Sequence, residues 1–143
     1  MTAVRASIVA EVERRLRLVP GIAEVEVMPS ADPMAFPAFH LFDDGQEPVD
    51  IDPEATRYAL ALRVECYVEK PGGSAAYAQL NDLYVGVGIA LFGDEQLGGL
   101  VETIDEGRQA IGVAPLASQP RLYFGLDLPI TFAARRGDPS QPA

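Results

Sequence analysis

Two stretches of strict alternation constrain this chain more than any other feature. From Tyr58 to Val68, the residues Tyr58, Leu60, Leu62, Val64, Cys66 and Val68 fall on one side of an extended backbone, and Ala59, Ala61, Arg63, Glu65, Tyr67 and Glu69 fall on the other. Successive side chains of a strand point to opposite faces, so this pattern predicts one buried face and one mixed face, as in an antiparallel sheet covered on a single side. Leu122 to Ala134 repeats the pattern, with Leu122, Phe124, Leu126, Leu128, Ile130 and Phe132 together. Pro129 has the opposite parity and cannot donate to a ladder, which predicts an edge or a bulge there.

Two segments have helical spacing. Val4, Ile8, Val12, Leu16 and Val19 recur every three or four residues within Ala3 to Val19, with Thr2 as the expected N-cap and Pro20-Gly21 as the stop. From Ser74, expected as a cap, to Phe92, the stripe is Leu80, Leu83, Tyr84, Val87 and Leu91, and Gly86 and Gly88 permit close approach by another element. Shorter strands are predicted at Ile22 to Met28, Ala38 to Phe42 and Leu100 to Ile104, while Asp43 to Glu54 reads as an extended, solvated loop. These elements predict an α+β fold with a mainly antiparallel sheet of about four to five strands and two helices packed on one face. Residues 1–136 read as a single domain, and residues 137–143 as a flexible tail.

Composition limits the function classes. The formal charge of −10, with ten Arg and one Lys on the positive side, disfavours counterion-driven nucleic-acid binding and attraction to anionic membranes. Cys66 stands alone, so no internal disulfide forms, and no apolar run has the length of a membrane span. The N-terminal segment carries acids where a signal peptide has its apolar core, which predicts a soluble, cytoplasmically made protein.

Candidate chemistry is sparse. His40 is the only histidine and lies in an apolar strand; Cys66 has core-facing register. Asp43, Asp44, Glu47, Asp50, Asp52 and Glu54 supply enough oxygen for Ca²⁺, but the EF-hand register is missing and Pro48 and Pro53 interrupt the segment. A carboxylate-based metal-binding or hydrolytic domain using these acids is therefore the minor alternative. No phosphate loop, dinucleotide fingerprint, nucleophile elbow or zinc ligand set occurs, and Arg136-Gly137-Asp138 is read as a chance tripeptide. In "DEQLGGLVETIDEG" (Asp94 to Gly107) strand parity splits the acids between two faces, and Gly98-Gly99 allows a tight reversal.

The order of segments is itself informative. A helix ending in "LVPGI" is followed by "FPAFHLF", "RYALALRVECYVE", "LNDLYVGVGIALFGDEQLGGLVETID" and "LPITFAARRGDP". The chain resembles the tail terminator (tail completion) proteins of long-tailed bacteriophages and related phage-like particles, from about Val4 to Pro139, with Pro29 to Pro37 and Ala110 to Gln119 poorly matched. The most specific parts are "LFGDEQLGGLV" and "ARRGDP".

The resemblance implies a small α+β subunit, six copies of which form a ring that ends tail-tube polymerisation and joins the tail to the head neck. It implies no active site, no metal and no cofactor. The implied partners are further copies of the chain, the major tail tube protein and a head-completion or stopper protein, with DNA passing through the lumen without specific binding. The implied location is the tail–neck junction of a virion assembled in the host cytoplasm. Another neck component, such as a stopper or connector, is the alternative within the same class. Candidate subunit or tube contacts are Arg14, Arg15, Arg17, Asp43, Asp44, Asp50, Asp52, Arg63, Glu65, Tyr67, Asp94, Glu95 and Glu102.

Overall fold

The computed structural model describes residues 1–143. Helix α1 (Val4–Leu16) is followed by β1 (Glu24–Val27), β2 (Ala38–Ile51), β3 (Ala55–Tyr67), α2 (Ser74–Phe92), a 3-10 turn (Leu97–Gly99), β4 (Thr103–Ile104), β5 (Gln109–Pro115), β6 (Pro120–Arg135) and β7 (Asp138–Pro142). The sheet runs β1-β2-β3-β6, and β5, β4 and β7 share the far side of β6.

The expectation of about four to five mainly antiparallel strands is overturned: one mixed sheet holds seven strands. Its parallel pair is β1 with β2, because the Met28–Pro37 connection returns the chain before β2 begins. Parallel or antiparallel pairing depends on that connection and leaves no trace in the side-chain pattern of a four-residue strand. The extra strands were concealed for separate reasons. Two residues of β4 carry no periodicity, β5 has the short uncharged sequence "QAIGVAP", and β7 is built from "DPSQP". The terminal segment expected to be a flexible tail instead pairs with β6.

The acidic segment expected as a loop is the outer half of β2 and its turn. Gln46 to Ile51 pairs with Leu60 to Thr56, and register shifts at Asp43/Gln46 and Pro48/Asp50 break the alternation that would have marked a strand. The strand expected at Leu100 to Ile104 shrinks to β4. Gly98 (φ 72°) and Gly99 (φ 92°) take the left-handed conformations of the reversal before it. Helix α1 ends at Leu16, and Ala3 rather than Thr2 occupies its N-cap; Ser74 is the first residue of α2, Gly73 occupies its N-cap, and neither helix has a side-chain cap.

Pro129 lies in neither an edge strand nor a bulge. Its carbonyl accepts from the Asp105 amide, so the missing N–H points at the irregular segment between β4 and β5, and the β3 ladder loses nothing.

Both helices cover the same face of the sheet. Val4, Ile8, Val12 and Leu16 of α1 and Leu80, Leu83, Val87 and Leu91 of α2 enter one core with Leu60, Leu62, Val64 and Cys66 of β3 and Phe124, Leu126, Leu128, Ile130 and Phe132 of β6. Each fully buried side chain of this size stabilises the fold by roughly 1.5–3 kcal/mol. Helix α2 packs on the segment after α1 at Gly86, where a Cβ would stand 2.6 Å from Val19 Cγ1. The opposite face of the sheet has no layer over it.

Candidate functional site

The uncovered face is built from the odd-numbered positions of the two long strands. Cross-strand register places Ala59 beside Thr131, Ala61 beside Pro129, Arg63 beside Asp127, Glu65 beside Gly125 and Tyr67 beside Tyr123. Towards the β2–β3 turn the face therefore has a half of small side chains, interrupted by Arg57 beside Ala133, and the other half is charged and aromatic.

The charged half is internally bonded. The Arg63 guanidinium lies 4.3 Å from the Phe42 ring centroid, donates to Asp44 Oδ2 at 3.2 Å and pairs with Glu65, which also accepts from the Tyr67 hydroxyl. Tyr67 stacks on Tyr123 with centroids 5.7 Å apart and meets His40 edge-on. His40 Nε2 lies 3.0 Å from Glu24 Oε2, closing a chain of contacts from β3 to β1. Burial opposes ionisation of Glu24, but the hydrogen bonds from His40 and the Met34 amide outweigh it and hold the carboxyl below its ordinary range. Burial and the Glu65 carboxylate push the Tyr67 hydroxyl well up. The only histidine thus holds β1 to β2, as a polar group buried in a strand must find a partner.

The remaining sequence-selected residues occupy other places. Arg14 and Arg15 both bond Glu11, at 2.7 and 2.8 Å, and those bonds draw its carboxyl down to about 2. Arg15 also reaches Asp94 at 3.2 Å, tying α1 to the loop after α2. Arg17 pairs with Glu13 and donates to the Val25 carbonyl at 2.9 Å, across the outer edge of β1. Asp94 accepts from the Gly98 amide at 2.7 Å, and Glu95 contributes its backbone carbonyl to the Ile104 amide while its side chain is exposed.

In the acidic hairpin, Asp43 pairs with Arg5 and accepts from the Gly45 amide, whereas Asp50 accepts from Arg57 Nη1 and Glu102 from its Nε. Asp52 accepts from the Glu54 and Ala55 amides at 2.8 and 2.7 Å, which shapes the turn and holds its carboxyl below the usual range. These acids are spread along the hairpin, and no group of three His, Cys, Asp or Glu side chains is arranged to hold a metal ion.

Of the thirteen candidates, then, Asp44, Arg63, Glu65 and Tyr67 form one cluster, Arg14, Arg15 and Arg17 gather at and just beyond the end of α1 with Asp94 reaching Arg15 from the loop after α2, Asp50 and Glu102 share Arg57, and Asp43, Asp52 and Glu95 lie apart. Sequence reasoning missed Phe42, Arg57 and Glu24 as partners, because each joins its cluster only through strand register. It also missed Arg121, which is buried over Phe36 at 3.8 Å and donates to the Glu69 carbonyl at 2.6 Å. Beside the small-residue half lies a concavity of about 550 Å³ between Asp44–Glu47, Ala59–Leu62 and the Gly107, Arg108, Asp127 and Pro129 side. No helix is long and apolar enough to cross a membrane. No protein-family model matches the chain, and no curated protein matches it.

Proposed function

We propose that this chain is a structural subunit of a phage-type tail: a tail terminator that assembles as a ring on the tail tube, ends its polymerisation and joins it to the neck. The observation that carries the reading is the uncovered sheet face, whose small side chains (Ala59, Ala61, Pro129, Thr131) leave room for a neighbouring subunit to pack closely. A patch that meets a different patch on the next copy makes a heterologous contact, which closes into a ring when the rotation permits. The order of sequence segments, which resembles that of tail terminators, supports the same reading. The partners are then the tube protein below, a head-completion or stopper protein above, and DNA crossing the lumen past a subunit of net charge −10 that does not retain it.

The test is deletion of the gene in the particle that encodes it, followed by electron microscopy of tails. Overlong or headless tails are expected, and tails of normal length joined to heads would refute the proposal. Ala61→Arg, at an exposed position of the uncovered face, should reproduce the defect while leaving the subunit folded. Locating the subunit in a particle reconstruction distinguishes a terminator next to the tube from a stopper next to the head.

A further inference from the structure

A sheet edge presents unpaired backbone donors and acceptors, and proteins ordinarily block such edges with charge, proline, bulges or a covering element. Four of the five exposed edges here are blocked. Arg17 donates to the Val25 carbonyl across β1, which also carries Glu24 and Glu26. Outer β2 contains Glu47, Pro48, Asp50 and a register shift; β7 contains Asp138, Pro139 and Pro142; β4 is two residues long.

The edge of β5 has only one of these devices, Pro115 at its last position. Gln109 to Pro120 is twelve consecutive residues without a charge, and Ile111 and Val113 are 49% and 54% exposed. The Gly107 amide donates to the Asp127 carbonyl, and the Asp127 amide donates to the Arg108 carbonyl. Alternation from that point turns the peptide groups of Ala110, Gly112 and Ala114 towards β6 and those of Ile111 and Val113 outward.

We propose that a second copy of the chain pairs its β5 against this one, antiparallel, about a two-fold axis through Gly112. The strand is self-complementary in that register: Ile111 faces Val113 of the second copy, Ala110 faces Ala114, and Pro115, which has no donor, falls opposite Gln109 at the end of the ladder. The two Ile–Val pairs exchange roughly four backbone hydrogen bonds, and their β-branched side chains cover one another. Charge selects the same contact. Two subunits of −10 repel over most of their surfaces, but an uncharged edge lets them meet without opposing carboxylates. The contact uses the sheet edge rather than its uncovered face, so it goes beyond the ring reading and does not rest on it.

The register predicts that the two Gly112 residues form a non-hydrogen-bonded pair with Cα atoms about 4.5 Å apart, within disulfide range. In Gly112→Cys the new Cβ meets Tyr123 Cε1 at 3.4 Å, an ordinary contact limit, and the native Cys66 is buried and silent. Under mild oxidation the purified full-length variant should become a disulfide-linked dimer, while the wild-type chain should not cross-link. Sedimentation of the wild type should show a monomer–dimer equilibrium that tightens as salt rises from about 0.05 to 0.5 M and like-charge repulsion is screened. Ile111→Asp should weaken it about 10-fold or more, since each copy then faces an apolar partner with a carboxylate. A wild-type chain that stays monomeric at high concentration, a Gly112→Cys variant that does not cross-link, or an oligomer insensitive to Ile111→Asp in a variant of unchanged melting temperature would each overturn the proposal.

Discussion

Gly86 and Gly88 are two residues apart in α2, and the structure assigns them opposite responses to the same substitution. A Cβ on Gly88 meets nothing within 4 Å, whereas one on Gly86 would lie 2.6 Å from Val19 Cγ1 and 3.6 Å from its Cβ. Replacing glycine by alanine inside a helix is worth about 0.8–1.0 kcal/mol, so Gly88→Ala should stabilise the fold by nearly that amount. Gly86→Ala receives the same helical gain but must displace Val19, which is 4% exposed and stiff about χ1, at an overpacking cost of about 1–3 kcal/mol. Its net effect is therefore a loss of about 0–2 kcal/mol, and it should lie about 1–3 kcal/mol below Gly88→Ala.

For a chain of this length that separates the two variants by roughly 3–10 °C in Tm, measured by circular dichroism at matched protein concentration. Val19→Ala removes the opposing methyl groups, so in the Gly86→Ala background it should cost less than in the wild type by about 1 kcal/mol or more, a coupling a double-mutant cycle reads directly. Equal stabilisation by both alanine variants, or strict additivity with Val19→Ala, would refute the packing of α2 on the segment after α1.

Two further outcomes follow from the charges and the thiol. Glu11 has a carboxyl held at about 2 by Arg14 and Arg15 against an ordinary 4.5, so between those values the unfolded chain binds more protons and stability rises with pH. The contribution is complete above about pH 4.5 and lost as pH falls to about 2. Because the pairs lie at the surface it is worth about 0.5–1 kcal/mol, so Glu11→Gln should cost that much at pH 7 and converge with the wild type near pH 2 in urea titrations, a gap unchanged at pH 2 counting against it. Cys66 is fully buried and burial pushes its thiol far up, so a thiol reagent at neutral pH should label it only at the rate of unfolding; rapid labelling of the native protein would contradict its placement.

Parts of the candidate surface were legible in advance because alternation reports which side of a strand is buried. Arg63, Glu65 and Tyr67 were assigned to the mixed face from parity alone, and the structure leaves that face without a covering layer. Their partners were not legible. Phe42 and Asp44 reach Arg63 through the β2–β3 register, and Glu24 reaches His40 only because β1 runs parallel to β2. The acids of Asp43 to Glu54 are close in sequence, but along a strand neighbours alternate sides, and Asp43, Asp44 and Asp50 pair with three different arginines.

Local periodicity by itself determined the two amphipathic helices, the two long strands, the shared apolar side on which they meet and the burial of Cys66. Each of these depends on a repeat of side-chain chemistry that the backbone geometry turns into a face. Tertiary structure alone decided that seven strands join the sheet, that one pair is parallel, that Gly86 but not Gly88 touches Val19, and that β5 is the edge left open. Those outcomes depend on which distant segments come together and in what register, and a residue's own neighbours in the chain carry no record of that.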